Sequence, residues 1–165
     1  MNKIESYYWK LITLINVLQI YKIKLFGARV GNNVKVHGKF FIKYCSNFTI
    51  GDNSHINYNV YLICRDKISI GKNVHLSSHV TIHTGGLDIQ NDRNKHYTKP
   101  IKIEDNVWIA TGVIINPGVT IGENSIVLPG AVVSKNIPKN CIVGGVPAKI
   151  IKNKVNNSFK SYKDD

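Results

Sequence analysis

The sequence contains little of what would place it in a membrane, a disulfide-rich fold or a zinc ribbon. It has 165 residues with a single methionine, and no run of 18 apolar residues, so no membrane span is expected. The N-terminus lacks the pattern of a cleavable signal peptide. Cys45, Cys64 and Cys141 are far apart, and an odd count without C-x-x-C argues against a disulfide framework. We therefore expect a reducing, cytoplasmic location.

Acidic residues are also scarce. Ten Asp and Glu stand against 22 Lys and Arg, which gives a formal net charge of +12. A basic surface attracts nucleic acids, acidic lipids or a phosphorylated cofactor. The basic residues are scattered and accompany no nucleic-acid-binding motif, so no nucleic acid partner is expected. General solubility is an equally simple explanation of the charge. The 43% of hydrophobic residues suffices for the core of one domain.

A period of six residues runs through most of the chain. From Ile103 the hexads read IEDNVW, IATGVI, INPGVT, IGENSI, VLPGAV and VSKNIP. The first position is always Ile or Val, and the fourth is always Asn or Gly, which tolerate the left-handed backbone of a tight turn. Upstream of Ile103, most hexads begin six residues apart, but two begin eight residues after the one before. These longer steps recur at every third hexad. Units of three hexads therefore begin at Val30, Ile50, Ile70, Ile103 and Ile121.

This period predicts an all-β solenoid of about five triangular coils over residues 30–152. Each hexad supplies a short parallel strand and a turn, and the aliphatic first position points inward to form one continuous apolar column. A period of six does not fit an amphipathic helix. The third unit is longer, because 21 positions separate Ile82 from Ile103. We expect an extruded loop at about residues 84–100, and loops of this length are usually functional.

The N-terminal segment, residues 1–29, is predicted to be a helical cap, with the helix over residues 2–25. An apolar stripe is formed by Ile4, Tyr8, Leu11, Ile15 and Leu18. The stripe would cover the open end of the solenoid, where strand edges are otherwise exposed. Aromatic residues and lysines in the same segment leave peripheral membrane contact as an alternative. Residues 153–165 form a polar tail.

Residues 105–152 carry a family resemblance. The segments VWI, INPGVTIG, GAVV and GGVPAK occur there in order. This combination resembles the hexapeptide-repeat acyltransferases, most of all the maltose/galactoside O-acetyltransferase branch and the sugar O-acetyltransferases of surface-polysaccharide clusters. The resemblance covers about residues 30–152. It implies a left-handed parallel β-helix, a homotrimer with active sites between subunits, acetyl-CoA as donor and a sugar or glycan acceptor.

The resemblance also implies roles for particular residues. Asn57, in NSHINYNV, would orient the acceptor or the catalytic base. The acetyl-CoA contacts would come from the coils after the loop. They would be Ala110, Thr111, Pro129, Gly130, Ala131, Ser134, Lys135, Lys149 and Lys152. Lysines attract the phosphates of the donor, and small residues let its pantetheine arm lie along the coil. For the small residues, ordinary turn fitting is an equally simple explanation.

The family's catalytic histidine is missing. Transfer of an acetyl group to a hydroxyl needs a base, and histidine suits this task because its pKa lies near neutrality. Relatives place it in a T-G-x-H-D segment, whereas this chain has TGGLD, with Leu87 at that place. His83, predicted to point outward next to the inward Ile82, and His96, in the loop, are the two candidate replacements. Absence of any histidine base is the third alternative.

The other polar residues carry weaker hypotheses. Asp88, Asp92, Arg93 and Lys95 would orient the base or contact an acidic sugar or a phosphate, although solvated loop charges are the simpler interpretation. His37, His55, His75 and His79 are interpreted as solvated turn residues. No activated Ser or Cys is apparent, so direct attack is expected and a covalent acyl-enzyme is not.

The preferred function is therefore acetyl transfer from acetyl-CoA to a sugar hydroxyl, without a bound metal. Three alternatives are kept. They are N-acetylation of an amino sugar, a zinc enzyme like the γ-class carbonic anhydrases that uses His55, His75 and His79, and a non-catalytic homologue that lost its histidine at position 87.

Overall fold

The architecture was determined from a computed structural model, which describes residues 3–88 and 95–153. One α-helix, α1 (Lys3–Leu25), precedes a solenoid of short strands arranged in three parallel sheets. The first sheet contains β1 (Arg29–Val30), β4 (Phe48–Ile50), β7 (Ile68–Ile70), β12 (Ile101–Ile103) and β15 (Thr120–Ile121). The third contains β3 (Phe41–Lys43), β6 (Tyr61–Ile63), β9 (Thr81–His83), β14 (Ile114–Ile115) and β17 (Val132–Val133).

The second sheet has seven strands. They are β2 (Lys35–Val36), β5 (His55–Ile56), β8 (His75–Leu76), β13 (Trp108–Ile109), β16 (Ile126–Val127), β18 (Cys141–Gly144) and β19 (Lys149–Asn153). The last strand differs from the rest. After a reversal at Gly145, where φ is +96°, β19 runs antiparallel to β18. The chain therefore ends its solenoid by folding back rather than by a further hexad.

The register of the first sheet confirms the predicted repeat. Val30 pairs with Ile50, Ile50 with Ile70, Ile70 with Ile103, and Ile103 with Ile121. These are the five predicted unit starts. Their aliphatic side chains, apart from that of Val30, are at most 3% exposed. Each such burial contributes about 1.5–3 kcal/mol, so the column of first positions contributes strongly to stability.

The edges where the sheets meet differ in composition. The edge between the first and second sheets, the asparagine edge, carries Asn33, Asn53, Asn73, Asn106, Asn124 and Asn140, all with φ between +53° and +59°. Asparagine is one of the few residues that adopt this left-handed backbone at low cost. Its amides also link successive coils, as in the 3.0 Å bond from Asn73 Nδ2 to Asn106 Oδ1.

Helix α1 packs through a face other than the predicted one. Ile23 is buried, and Gln19 contacts the first coil, where its Nε2 donates to the Gly38 carbonyl (3.5 Å) and its Oε1 accepts from the Phe40 N–H (3.4 Å). Leu11 and Leu18, which were predicted to cover the solenoid, are 55% and 56% exposed. The prediction of the buried stripe was wrong, because backbone groups of the first coil need polar partners and Gln19 supplies them.

Candidate active site

The extruded segment of the third coil forms a β-hairpin. Strands β10 (Gly85–Leu87) and β11 (His96–Thr98) pair antiparallel, with Gly85 opposite Thr98 and Leu87 opposite His96. The hairpin leaves the solenoid where the third sheet meets the first, an edge called here the hairpin edge. The predicted loop is thus found where the repeat placed it, and its first and last parts are ordered as strands.

The hairpin brings Leu87 and His96 together. Residues directly opposite in an antiparallel pair have Cβ atoms about 4.5–5.5 Å apart on the same face. Both side chains are exposed, Leu87 by 52%. An imidazole therefore lies beside the position where the resemblance places the missing histidine.

His83 lies at the base of the hairpin, at the outward-facing end of β9. Its neighbour Ile82 is fully buried, as predicted, and His83 is half-buried. The ring nitrogen Nδ1 is 3.0 Å from the carbonyl oxygen of Gly85. A carbonyl only accepts hydrogen bonds, so Nδ1 must carry the proton and Nε2 is left as the basic nitrogen. This is the tautomer that a general base requires.

The chain around His83 is held by Thr84. Its side chain is fully buried, its hydroxyl donates to the Ile63 carbonyl (3.1 Å), and its Oγ1 accepts from the Asp66 N–H (2.8 Å). At the other end of the hairpin, the Lys99 N–H donates to the Thr84 carbonyl (2.8 Å). Both ends of the insertion are therefore fixed to one buried residue, which limits the movement of His83.

Ser134 and Lys135 belong to the same edge as His83. The pairing of Ile82 with Ile115 and of Ile115 with Val133 places His83, Asn116 and Ser134 in one outward column of the third sheet. Successive coils are about 4.8 Å apart, so Ser134 lies roughly 10 Å along the axis from His83. Asp88 lies in the hairpin, where its N–H donates to the Lys95 carbonyl (2.9 Å).

The remaining predicted donor contacts lie mostly on another edge. Thr111, Pro129 and Gly130 are exposed or half-exposed where the second sheet meets the third, an edge called here the glycine edge, with Gly112 and Gly130 at φ of +70° and +69°. A Cβ added to Gly130 would meet no atom within 4 Å. A flat strip of backbone is therefore open to a bound molecule.

Ala110 and Ala131 differ from their neighbours on the glycine edge. Ala110 is 7% exposed and Ala131 is fully buried, backbone included, so in a single chain only Ala110 offers any surface to a ligand. Asn57 stands below Ala110, and its Nδ2 donates to the Leu76 carbonyl (2.9 Å). This bond fixes the amide along the coil.

Lys149 and Lys152 do not converge with Lys135. Both are exposed on β19 at the end of the second sheet, where Lys152 pairs with Ile142. The predicted site residues therefore fall into two groups, on the two sides of the third sheet. Arg93 and Asp92 lie outside the described residues.

Comparison with known proteins agrees with this geometry. The bacterial transferase hexapeptide family (six repeats) matches residues 100–135. The chain is 38% identical over 143 residues to the galactoside O-acetyltransferase of Escherichia coli K12. The match covers 85% of this chain and 70% of that protein. It is 34% identical over 136 residues to the putative colanic acid biosynthesis acetyltransferase WcaF of the same strain, covering 81% and 73%.

A solved structure has the same fold. It is a hexapeptide-repeat acetyltransferase from Vibrio cholerae O1 biovar eltor, complexed with acetyl coenzyme A. It superposes with a TM-score of 0.80 at 31% identity, covering 85% of this chain and 78% of that one. The chain belongs to the hexapeptide-repeat acetyltransferases. The resemblance inferred from residues 105–152 is thereby confirmed.

In this acetyltransferase Cys64 is poorly suited to act as a nucleophile. Cys64 is fully buried, and burial raises the pKa of its thiol to about 12, with Cys45 as a smaller cause. A thiol must ionise to attack a thioester, so Cys64 stays inert near neutral pH.

Three histidines that were interpreted as solvated turn residues instead stack on the second sheet. Ring centroids are 5.2 Å apart for His37 and His55 and 4.3 Å apart for His55 and His75. Trp108 continues the column, and its Nε1 donates to Ser77 Oγ (3.1 Å). The turn interpretation was wrong for His55 and His75, which lie on strands that the register places one coil apart, whereas His37 is exposed and follows β2, as a turn residue would. For His55 and His75, the spacing of 20 residues was the signal in the sequence.

His79 is a turn residue, as predicted. It lies on the glycine edge with φ of +62°. It is therefore at a corner, whereas His55 and His75 occupy strands. Within the ranges 3–88 and 95–153, no three His, Cys, Asp or Glu side chains are grouped so that they could hold a metal ion.

Proposed function

We propose that the enzyme transfers the acetyl group of acetyl-CoA to a hydroxyl of a sugar or surface-glycan intermediate. The similarity to an O-acetyltransferase of galactosides and to an acetyltransferase of colanic acid biosynthesis supports a sugar acceptor. The acetyl-CoA in the superposable structure supports the donor. Polysaccharide biosynthesis is the matching role.

His83 is the proposed base. The observation that carries this assignment is its Nδ1 contact with the Gly85 carbonyl, because it leaves Nε2 free to accept a proton. Nε2 takes the proton of the acceptor hydroxyl while the oxygen attacks the thioester carbonyl carbon. The imidazolium then returns this proton to the departing sulfur, which gives free thiol and the acetyl ester. Backbone N–H groups or a serine stabilise the oxyanion.

His96 is the second candidate base. Its support is the register that places it opposite Leu87, beside the position of the family's histidine. Unlike His83, it lies on an exposed hairpin strand rather than on the solenoid. A base on a rigid strand is held in position more accurately, which favours His83.

The active site is proposed to lie between subunits of a homotrimer. Asn57 and the glycine edge are separated from His83 by the width of the third sheet. One chain therefore does not bring acceptor, base and donor contacts together, whereas a neighbour's glycine edge placed beside the hairpin edge would do so. The third sheet also has an apolar surface suited to burial, with Phe41 and Tyr61 stacked at 4.7 Å.

The donor is proposed to lie along the glycine edge. Thr111, Pro129 and Gly130, with Ala110 beside them, provide a surface without long side chains for its pantetheine arm, and the buried Ala131 supports this surface from beneath. Ser134 with Lys135, and Lys149 with Lys152, supply hydrogen bonds and positive charge for its polar groups. Asn57 and the loop residues Asp88 and Arg93 are proposed to contact the acceptor.

The exposed apolar surface of α1 is proposed to contact a membrane or a second subunit. It is formed by Leu11, Leu14, Ile15, Val17, Leu18, Tyr21, Leu25 and Phe26. In the described part of the chain, no helix is long and apolar enough to cross a membrane. Binding to vesicles that contain acidic lipid, with the trimer intact, would favour peripheral contact. A cytoplasmic location is proposed, since acetyl-CoA is made and used there.

The test is thiol release from acetyl-CoA with a panel of neutral sugars, amino sugars and nucleotide sugars, using wild type, His83→Ala and His96→Ala. We expect His83→Ala to lower kcat by about 10²-fold or more, and His96→Ala by less than tenfold. The reverse order would transfer the role to His96. Product analysis separates O- from N-acetylation. Cofactor binding without turnover on any acceptor would identify a homologue that has lost its chemistry.

A further inference from the structure

The charged residues of the solenoid are unevenly distributed between its edges. The described cations of the hairpin edge are Lys43, Arg65, Lys67, Lys95, Lys99 and Lys135, and its described anions are Asp66 and Asp88. The acidic side chains Asp52, Glu104, Asp105 and Glu123 lie on the asparagine edge instead. Positive charge is therefore concentrated around the base of the hairpin, where His83 lies.

The cations of the two edges also have different partners. On the asparagine side, Lys72 lies 3.4 Å from Asp52, and Lys102 lies 2.8 Å from Glu104. On the hairpin edge, the Lys43 and Lys99 ammonium groups lie over tyrosine rings, at 5.3 and 5.5 Å from the centroids. Arg65 forms no ion pair with any residue in the described ranges. These charges remain available to an anion.

Arg65 is held against Gly85, the residue whose carbonyl contacts the His83 ring. The Asn47 side chain donates to its carbonyl (3.3 Å), and the following N–H, that of Asp66, donates to Thr84 Oγ1 (2.8 Å). Its Cδ lies 3.1 Å from where a Cβ on Gly85 would be. The stem of Arg65 therefore passes against the same glycine whose carbonyl fixes the His83 ring.

We infer that Arg65 determines acceptor specificity by binding a carboxylate or phosphate carried by the sugar. The inference rests on the proposed function, because it assumes that the acceptor hydroxyl approaches His83. A guanidinium offers paired N–H donors that match both kinds of anion. Placed beside the base, it would bind the charged group of a uronic acid, a sugar phosphate or a nucleotide sugar while the hydroxyl reaches Nε2.

The phosphates of acetyl-CoA are the other source of the same chemistry. In the proposed function, Ser134, Lys135, Lys149 and Lys152 already bind the polar groups of the donor, so Arg65 is not needed for them. The two sources predict different kinetic changes. Loss of an acceptor contact raises KM or lowers kcat for the acceptor, whereas loss of a donor contact raises KM for acetyl-CoA.

The experiment compares wild type, Arg65→Gln and Lys67→Gln. Lys67→Gln removes one positive charge from the same edge without touching Gly85. The acceptors are matched pairs, galactose with galacturonate and glucose with glucose 6-phosphate. We expect Arg65→Gln to lower kcat/KM for the anionic member on the order of 10- to 100-fold, and for the neutral member by less than about threefold. The KM for acetyl-CoA should not change, and Lys67→Gln should resemble wild type.

Two kinetic outcomes would overturn the inference. An equal loss of kcat/KM for neutral and anionic acceptors would show that Arg65 does not distinguish acceptors by their charge. A higher KM for acetyl-CoA with unchanged acceptor kinetics would assign Arg65 to the donor. Direct titration of galacturonate and galactose, followed by NMR, is independent of turnover. If no sugar is acetylated, the proposed function fails, but Arg65-dependent binding of galacturonate would still support the inference and its absence would refute it.

Discussion

The asparagine edge and the hairpin edge are built on the same coils but have different properties. The asparagine edge repeats one conformation in six turns, and its side chains bond to one another and to the backbone of neighbouring coils. The hairpin edge contains the insertion, the half-buried His83 and an excess of cations. The asparagine edge is bonded within itself, whereas the hairpin edge carries the groups that we propose to act on the substrate. Substitutions should therefore separate stability from activity.

The largest expected effect is on stability, at the asparagine edge. Asn73→Val places a β-branched residue at φ of +53° and removes the bond to Asn106. We expect a loss of about 2–3 kcal/mol in the free energy of unfolding, measured by denaturant titration, with little change in kcat. Asn73→Gly is the matched control, since it keeps the backbone conformation. If both variants lose the same stability, the amide bond rather than the backbone matters.

A smaller loss is expected from a buried hydroxyl of the same edge. Ser54 is fully buried, its Oγ donates to the Gly71 carbonyl (3.0 Å), and it accepts from the Val74 N–H (3.0 Å). Ser54→Ala leaves that N–H without a partner, which should cost about 1–3 kcal/mol in the same titration. Ser69→Ala, on the outer surface of the first sheet, should change stability much less. Equal losses in the two variants would mean that the buried hydrogen bonds of Ser54 add no more stability than an exposed serine does.

On the hairpin edge, the expected effect is on activity. A Cβ at Gly86 would lie 2.6 Å from the Tyr97 ring, which packs across the hairpin. Gly86→Ala must displace that ring, which changes the surface of the hairpin beside His83. We expect kcat/KM to fall on the order of tenfold, about 1.4 kcal/mol, while thermal unfolding is nearly unchanged. The double variant Gly86→Ala/Tyr97→Ala removes the clash. If its activity is no higher, the ring is not the cause.

The smallest effect concerns pH and returns to the asparagine edge. The hydrogen bond from Lys102, and then that from the Glu123 N–H, hold the pKa of Glu104 below its usual range. Its contribution to stability is therefore present above the ordinary carboxyl pKa of about 4.3 and is lost as pH falls through the lower folded value. Glu104→Gln should make thermal stability fall slightly less steeply in acid. An unchanged slope would show that the pair is too exposed to matter.

Much of the fold could be predicted from the sequence, because the repeat records which residue of each coil faces inward. The unit starts, the extruded loop and the opposite directions of Ile82 and His83 follow from the period alone. The packing face of α1 could not be predicted, since its apolar stripe is exposed and Gln19 makes the contact. The reversal at Gly145 was likewise missed, because the chain beyond Val143 still contains aliphatic residues.

The site was less predictable than the fold. The sequence identified His83 and His96 as candidates. It did not show that His96 lies opposite Leu87, because the register of the hairpin depends on a turn that does not belong to the repeat. Neither the stacking of His55 on His75 nor the contact of Arg65 with Gly85 was anticipated. Both pairs are 20 residues apart, the length of one coil in that part of the chain. Counting coil lengths along each column would have found them.

Strand β19 runs back along β18, and this limits how solenoids can associate end to end. A solenoid that ended in a parallel strand would offer each molecule a template for another, and the coils of successive molecules would join into a fibre. Because β19 is antiparallel to β18, its outer edge does not present the parallel pairing that joins the coils below. A further coil of the usual register therefore does not continue directly from β19, whereas a coil inserted between two existing coils would keep parallel neighbours on both sides.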